Sequence, residues 1–92
     1  MKGIEDVLKE RGSRYGAFKG HAQITQELKE LLRGYDGWGR LSYSQQEALE
    51  MIAHKIGRIL NGDPNDADSW VDVAGYAQLI VNDLMAAGGK AA

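Results

Sequence analysis

Apolar residues recur along this chain at three- and four-residue steps, the spacing of helices laid against neighbours. Ile4, Val7 and Leu8 mark a first short helix over about residues 4–10 that stops near Gly12. Ile24, Leu28, Leu31 and Leu32 form the stripe of a second, from about 19 to 33. Ala48, Ile52, Ile56 and Ile59 make the core face of a third, with Leu49 and Leu60 on one margin. A fourth opens around residues 66–68, runs to about 86, and is expected to bury Trp70, Val73, Ala77, Ile80 and Leu84. No strand pattern and no internal repeat appears. The expected fold is all-α, with three to four helices and the third and fourth as a central antiparallel hairpin.

The punctuation agrees with those boundaries. Gly34-Tyr-Asp-Gly-Trp38-Gly ends the second helix, because three glycines in six residues dissolve helical pairing. Ser44-Gln-Gln-Glu47 fits a capping box that would start the third. Arg11-Gly-Ser-Arg14-Tyr15-Gly16-Ala-Phe18 reads as a glycine-punctuated linker, with two arginines and two aromatics that a plain connector does not need. Residues 1–86 are expected to form one domain, and 87–92 a frayed tail.

Composition narrows the class. Ninety-two residues support one modest core, and with no cysteine no disulfide can assist it. The chain is therefore expected to gain burial as a homo-oligomer, a dimer or larger. A net charge of −2 and a pI near 5.6 argue against a dedicated nucleic-acid binder. No apolar run approaches the ~20 residues of a membrane span, and the first residues lack the apolar core of a signal peptide. The protein reads as cytoplasmic.

The candidate chemistry is concentrated between Lys55 and Tyr76. Lys55 and Arg58 lie on the third helix, Asp68 and Asp72 on the fourth, with a Gly-Asp-Pro loop between. Folded back, Lys55 faces Asp72 and Arg58 faces Asp68 and Ser69. Either these charges are a polar seam that sets helix register, or they wall a site for an anionic, metal-bound ligand. Arginine and lysine orient phosphoryl oxygens, and carboxylates a helical turn apart can hold Mg²⁺. Glu47 and Glu50 have an ExxE spacing that puts two carboxylates on one helical face. Arg11 and Arg14 flank Tyr15 and could clamp an anion, or could form a solvated basic linker. His21 and His54 have no ligand spacing between them, so a solvated or capping role is expected. Tyr35, Trp38 and Tyr43 read as packing for their loop.

Taken together, Arg14-Tyr15-Gly16-x-Phe18, Met51-Ile52-Ala-x-Lys55-Ile-x-Arg58 and Asp68-Ser-Trp-x-Asp72-x-Ala-Gly75-Tyr76-Ala resemble a small uncharacterised domain common in tailed-phage and prophage genomes. The resemblance covers roughly residues 10–84. More distantly, the chain is similar to the all-α nucleoside triphosphate pyrophosphohydrolases of the MazG and dUTPase type. Those carry ExxE on one helix and ExxD on the next, around Mg²⁺ that activates water on the α-phosphate. Glu47 and Glu50 match the first pair; the second departs, as Asp68-x-x-x-Asp72, with Lys55 beside it.

Two functions follow as expectations. The first is a phage nucleotide-binding protein that sequesters a host nucleotide or nucleotide-derived signal. It would use Arg11, Arg14, Lys55 and Arg58 on phosphates and Tyr15 or Tyr76 on base or ribose. The second is a divergent Mg²⁺-dependent pyrophosphohydrolase with Glu47, Glu50, Asp68 and Asp72 as metal ligands. A structural or protein-interaction module is a third.

Overall fold

The computed structural model describes residues 3–89, and it is all-helical. Helices α1 (Ile4–Tyr15), α2 (Phe18–Arg33), α3 (Tyr43–Asn61) and α4 (Ala67–Ala86) follow in order, with a 3₁₀ turn at Asp36–Arg40 between α2 and α3. No strand is present among the described residues. α3 is the centre of the molecule, with α2 packed on one side and α4 on the other. α1 is more loosely attached, touching α2 and α3 near its C-terminal end.

α1 runs three residues beyond the stop expected at Gly12. Gly12 sits inside it, where an exposed glycine costs only ~1 kcal/mol relative to alanine and need not end a helix. The break comes instead at Gly16, whose φ of 77° is closed to most side chains. The linker shrinks to Gly16 and Ala17. Any side chain on Gly16 would also strike Asn61, which lies against this turn. Asn61 Nδ2 donates to Tyr15 O and Ala17 O, both at 2.8 Å, and Asp63 N donates to Arg14 O at 2.8 Å. The α1–α2 turn and the α3–α4 loop are thereby stapled together.

The start of α3 corrects the sequence reading by two residues. Ser42 is the N-cap, accepting from Gln45 N at 3.1 Å, while Gln45 Oε1 accepts from Ser42 N at 2.9 Å. The box is Ser42 with Gln45, not Ser44 with Glu47. α4 is capped by Asp66, which accepts from Asp68 N at 3.1 Å. At its other end Gly89 N donates to Leu84 O and Gly88 N to Met85 O, so residues 87–89 close the last turn. The remainder of the expected tail, 90–92, lies outside the described residues.

The core differs most from expectation. Among the described residues the only buried apolar side chains are Ala48 and Ala53. Ile52, Ile56, Ile59, Val73 and Ile80 are half-buried, whereas Trp70, Ala77 and Leu84, expected inside, are exposed. On α4 the buried residue is Ser69, a small side chain that lets the backbones of α3 and α4 approach. Gly57 does the same between α3 and α2, since a methyl there would overlap Thr25 Oγ1 and crowd His21 Nδ1.

Candidate functional site

The α3–α4 pairing puts Lys55 against Asp72 as the hairpin register requires, with Nζ 2.9 Å from Oδ2. Lys55 is buried and Asp72 only half so. The second rung of the expected ladder does not form. Asp68 is taken by Arg14 from α1, with Nη2 2.5 Å from Oδ2. The same guanidinium holds Asp66 through Nε at 2.7 Å and Nη2 at 3.3 Å. Arg14 therefore joins the last turn of α1 to the cap and first turn of α4. That pairing lowers the Asp66 carboxyl below the usual aspartate value and raises the already high Arg14 value.

Arg58, released from Asp68, lies over Tyr15 instead, its guanidinium carbon 4.3 Å from the ring centroid. Arg14 is 5.0 Å from the same centroid. Guanidinium over an aromatic face is a favourable contact, and it fixes the direction of the planar fork. Val7, Glu10, Arg11, Arg14, Tyr15 and Arg58 together line a polar cleft of about 290 Å³ between α1 and α3. Three of the four cations expected to serve phosphate thus share one cleft. Lys55 stands apart from it, engaged with Asp72, and Tyr76 lies in a different groove with Tyr43, Glu47 and Asp83.

The four carboxylates expected to hold a metal are not brought together. Glu50 faces α2 rather than solvent, 2.5 Å from Arg33 and 3.9 Å from Lys29. Glu47 lies on the α4 side of α3, and Asp68 and Asp72 are held by Arg14 and Lys55. Among the described residues no three His, Asp or Glu side chains converge as a metal-ligand set.

The histidines also depart from the solvated or capping role expected of them. Their rings meet edge to face between α2 and α3, with centroids 4.5 Å apart. His21 is buried, its Nε2 3.4 Å from Thr25 Oγ1 and its Nδ1 without a hydrogen-bond partner among the described residues. Burial lowers both pKa values, His54 to about 4, and the nearby Arg58, Lys55 and Lys29 add to the shift. Both rings are neutral near pH 7. Of the aromatic loop, Trp38 is half-buried and its carbonyl accepts from Gln46 at 3.1 Å, while Tyr35 and Tyr43 are exposed.

Two contributors escaped the sequence reading. Asn61 positions the cleft by fixing the Tyr15–Ala17 backbone, and its only sequence signal is a place just before the Gly62-Asp63-Pro64 loop. Asp66 was expected only near a helix start, yet it is the principal partner of Arg14.

A family model covers this whole assembly, matching residues 2–83. The chain belongs to the family described as Domain of unknown function (DUF6378). That span takes in the cleft, the staple at Asn61 and the Lys55–Asp72 pair. No curated protein and no solved structure matches the chain.

Proposed function

We propose that this chain binds the phosphates of a nucleotide or nucleotide-derived small molecule in the cleft between α1 and α3. In this reading it is a phage- or prophage-encoded protein, working as a homo-oligomer in the host cytoplasm, that sequesters its ligand rather than turning it over. The observation that carries the reading is that Arg11, Arg14 and Arg58 line one polar cleft, with Arg14 and Arg58 against the Tyr15 ring. Guanidinium forks match phosphate oxygens in pairs, and Tyr15 holds two of them in orientation before any ligand arrives. The cleft volume of about 290 Å³ is at the small end of ligand pockets and suits a phosphorylated head group better than a long chain.

Retention without hydrolysis is supported by the carboxylates. A metal-activated water needs several oxygen ligands on one ion, and Glu50, Asp68 and Asp72 each neutralise a cation elsewhere. The likeness to MazG-type pyrophosphohydrolases would then be one of helical architecture.

Thermal-shift screening against nucleoside triphosphates, cyclic dinucleotides and NAD-derived compounds tests this. At least one class should raise the melting temperature of the wild type and fail to raise that of Arg58→Ala. Absence of any shift overturns the reading. Pyrophosphate release with Mg²⁺ or Mn²⁺ would assign the hydrolase alternative instead.

A further inference from the structure

α4 carries an apolar line that the rest of the chain leaves uncovered, and α3 one that it covers only in part. On α4, Trp70, Ala74, Ala77, Val81 and Leu84 succeed one another at alternating steps of four and three residues, the seam spacing of paired helices. All five are exposed. On α3, Leu49, Ile52, Ile56 and Ile59 repeat the same steps, Leu49 exposed and the three isoleucines half-buried. The lines border a groove of about 310 Å³ whose walls include Leu41, Leu49, Ile52, Ala77 and Ile80.

The groove is lined by no charged side chain. At ~100° per residue, the Asp68, Asp72 and Asp83 side chains leave α4 on the side away from its exposed line. A partner of opposite charge has nothing here to recognise, whereas an identical uncharged lining meets no repulsion. The size of the exposed surface points the same way. A compact 92-residue monomer exposes about 5,300 Å², and this chain exposes 6851 Å². The surplus over the whole chain, roughly 1,500 Å², is of the size that an obligate dimer removes from each protomer, ~1,000–2,500 Å². The radius of gyration, 15.5 Å, likewise exceeds the ~12 Å of a compact chain this long.

We propose that a second copy of this chain covers the α3–α4 face, so that α3 and α4 of the two copies form one four-helix bundle about a two-fold axis. The apolar lines of one copy then pack against those of its partner, and Trp70 becomes an interface anchor. Its indole is already held in place by donation to Pro64 O at 2.9 Å. The proposal rests on the homo-oligomer reading above and is independent of the ligand, because the arginine cleft shares none of its lining with this face.

Sedimentation of the wild type and of Leu49→Glu and Leu84→Glu, at tens of micromolar, tests the assignment. The wild type should run at twice the chain mass and both variants at half of that. Should a variant fail to fold, single cysteines placed in this cysteine-free chain give the same answer. Leu49→Cys and Leu84→Cys should react with a maleimide several-fold more slowly than Leu31→Cys, which lies on α2 outside the face. A monomeric wild type overturns the oligomer reading and this proposal together. An oligomer that keeps its mass in both variants, or whose three cysteines react alike, overturns the face and leaves the oligomer standing. An assembly larger than two that the variants dissolve supports the face and overturns the two-copy bundle.

Discussion

Lys55 and Asp72 form an ion pair whose two halves differ in burial: the lysine side chain is 11% exposed and the aspartate 46%. The single changes should therefore be unequal. Asp72→Asn leaves a buried ammonium with a weaker partner and should cost about 2 kcal/mol, less than the ~3–5 of a fully buried pair. Lys55→Met removes the buried charge and leaves an aspartate that water can reach, so it should cost under about 1 kcal/mol. Urea unfolding of both variants measures the difference. Equal losses would show that the pair acts as an exposed one.

Gly57→Ala should destabilise the protein although alanine is the better helix former. The added methyl meets Thr25 Oγ1 and His21 Nδ1 across the α2–α3 contact. Overpacking of this kind costs about 1–3 kcal/mol, against ~1 gained in helix propensity. A lower melting temperature, with helical circular dichroism retained at 25 °C, is the expected result.

Acid should weaken the fold before the carboxylates titrate. His54 in the folded state protonates near 4, and His21 is likewise lowered, while unfolded histidine protonates near 6.5. Below 6.5 the unfolded chain binds protons that the folded chain refuses, so stability falls from pH 6.5 to about 4 and is whole above that window. Asp66, also lowered, contributes its loss only at lower pH. Denaturation midpoints across pH 4–7.5 should show this slope, and His54→Phe should flatten it.

Asn61→Ala should cost about 1–2 kcal/mol, because it strips the donor from the Tyr15 carbonyl, which is partly shielded from water, and from the exposed Ala17 carbonyl. Asn61→Asp keeps the size and reverses the chemistry, presenting oxygen to Tyr15 O and Ala17 O. It should be at least as damaging, and both changes should broaden the Tyr15 ring resonances by loosening the turn.

What could be read ahead of the structure was what depends on position along one axis. Antiparallel register alone sets Lys55 opposite Asp72, and helical period alone places α2 and α3 within a residue or two. Contacts between residues far apart in the chain carry no such rule. Arg14 meets Asp66 across 52 positions and Asn61 meets Tyr15 across 46, so neither has a periodic signature. The core of α4 was misread for a different reason. Its apolar arc is broad enough for two lines, one through Ser69, Val73 and Ile80 against α3, the other through Trp70, Ala77 and Leu84 facing out. Period alone cannot say which line the chain itself uses. The ExxE spacing of Glu47 and Glu50 is a property of α3 alone and carries no sign of Arg33 and Lys29, the cations α2 brings to Glu50.

If the cleft takes phosphate as proposed, the double hold of Asp66 and Asp68 on Arg14 would set a selectivity threshold. An anion entering the cleft does not find this guanidinium idle; it must compete with two internal carboxylates for the same N–H groups. Chloride or acetate, with a single charge, would lose that contest. A phosphoryl group, with two charges and three acceptor oxygens, can engage Arg58 and Arg11 first and then draw Arg14 away. The resident aspartates would thus reject weak anions in a cell full of them.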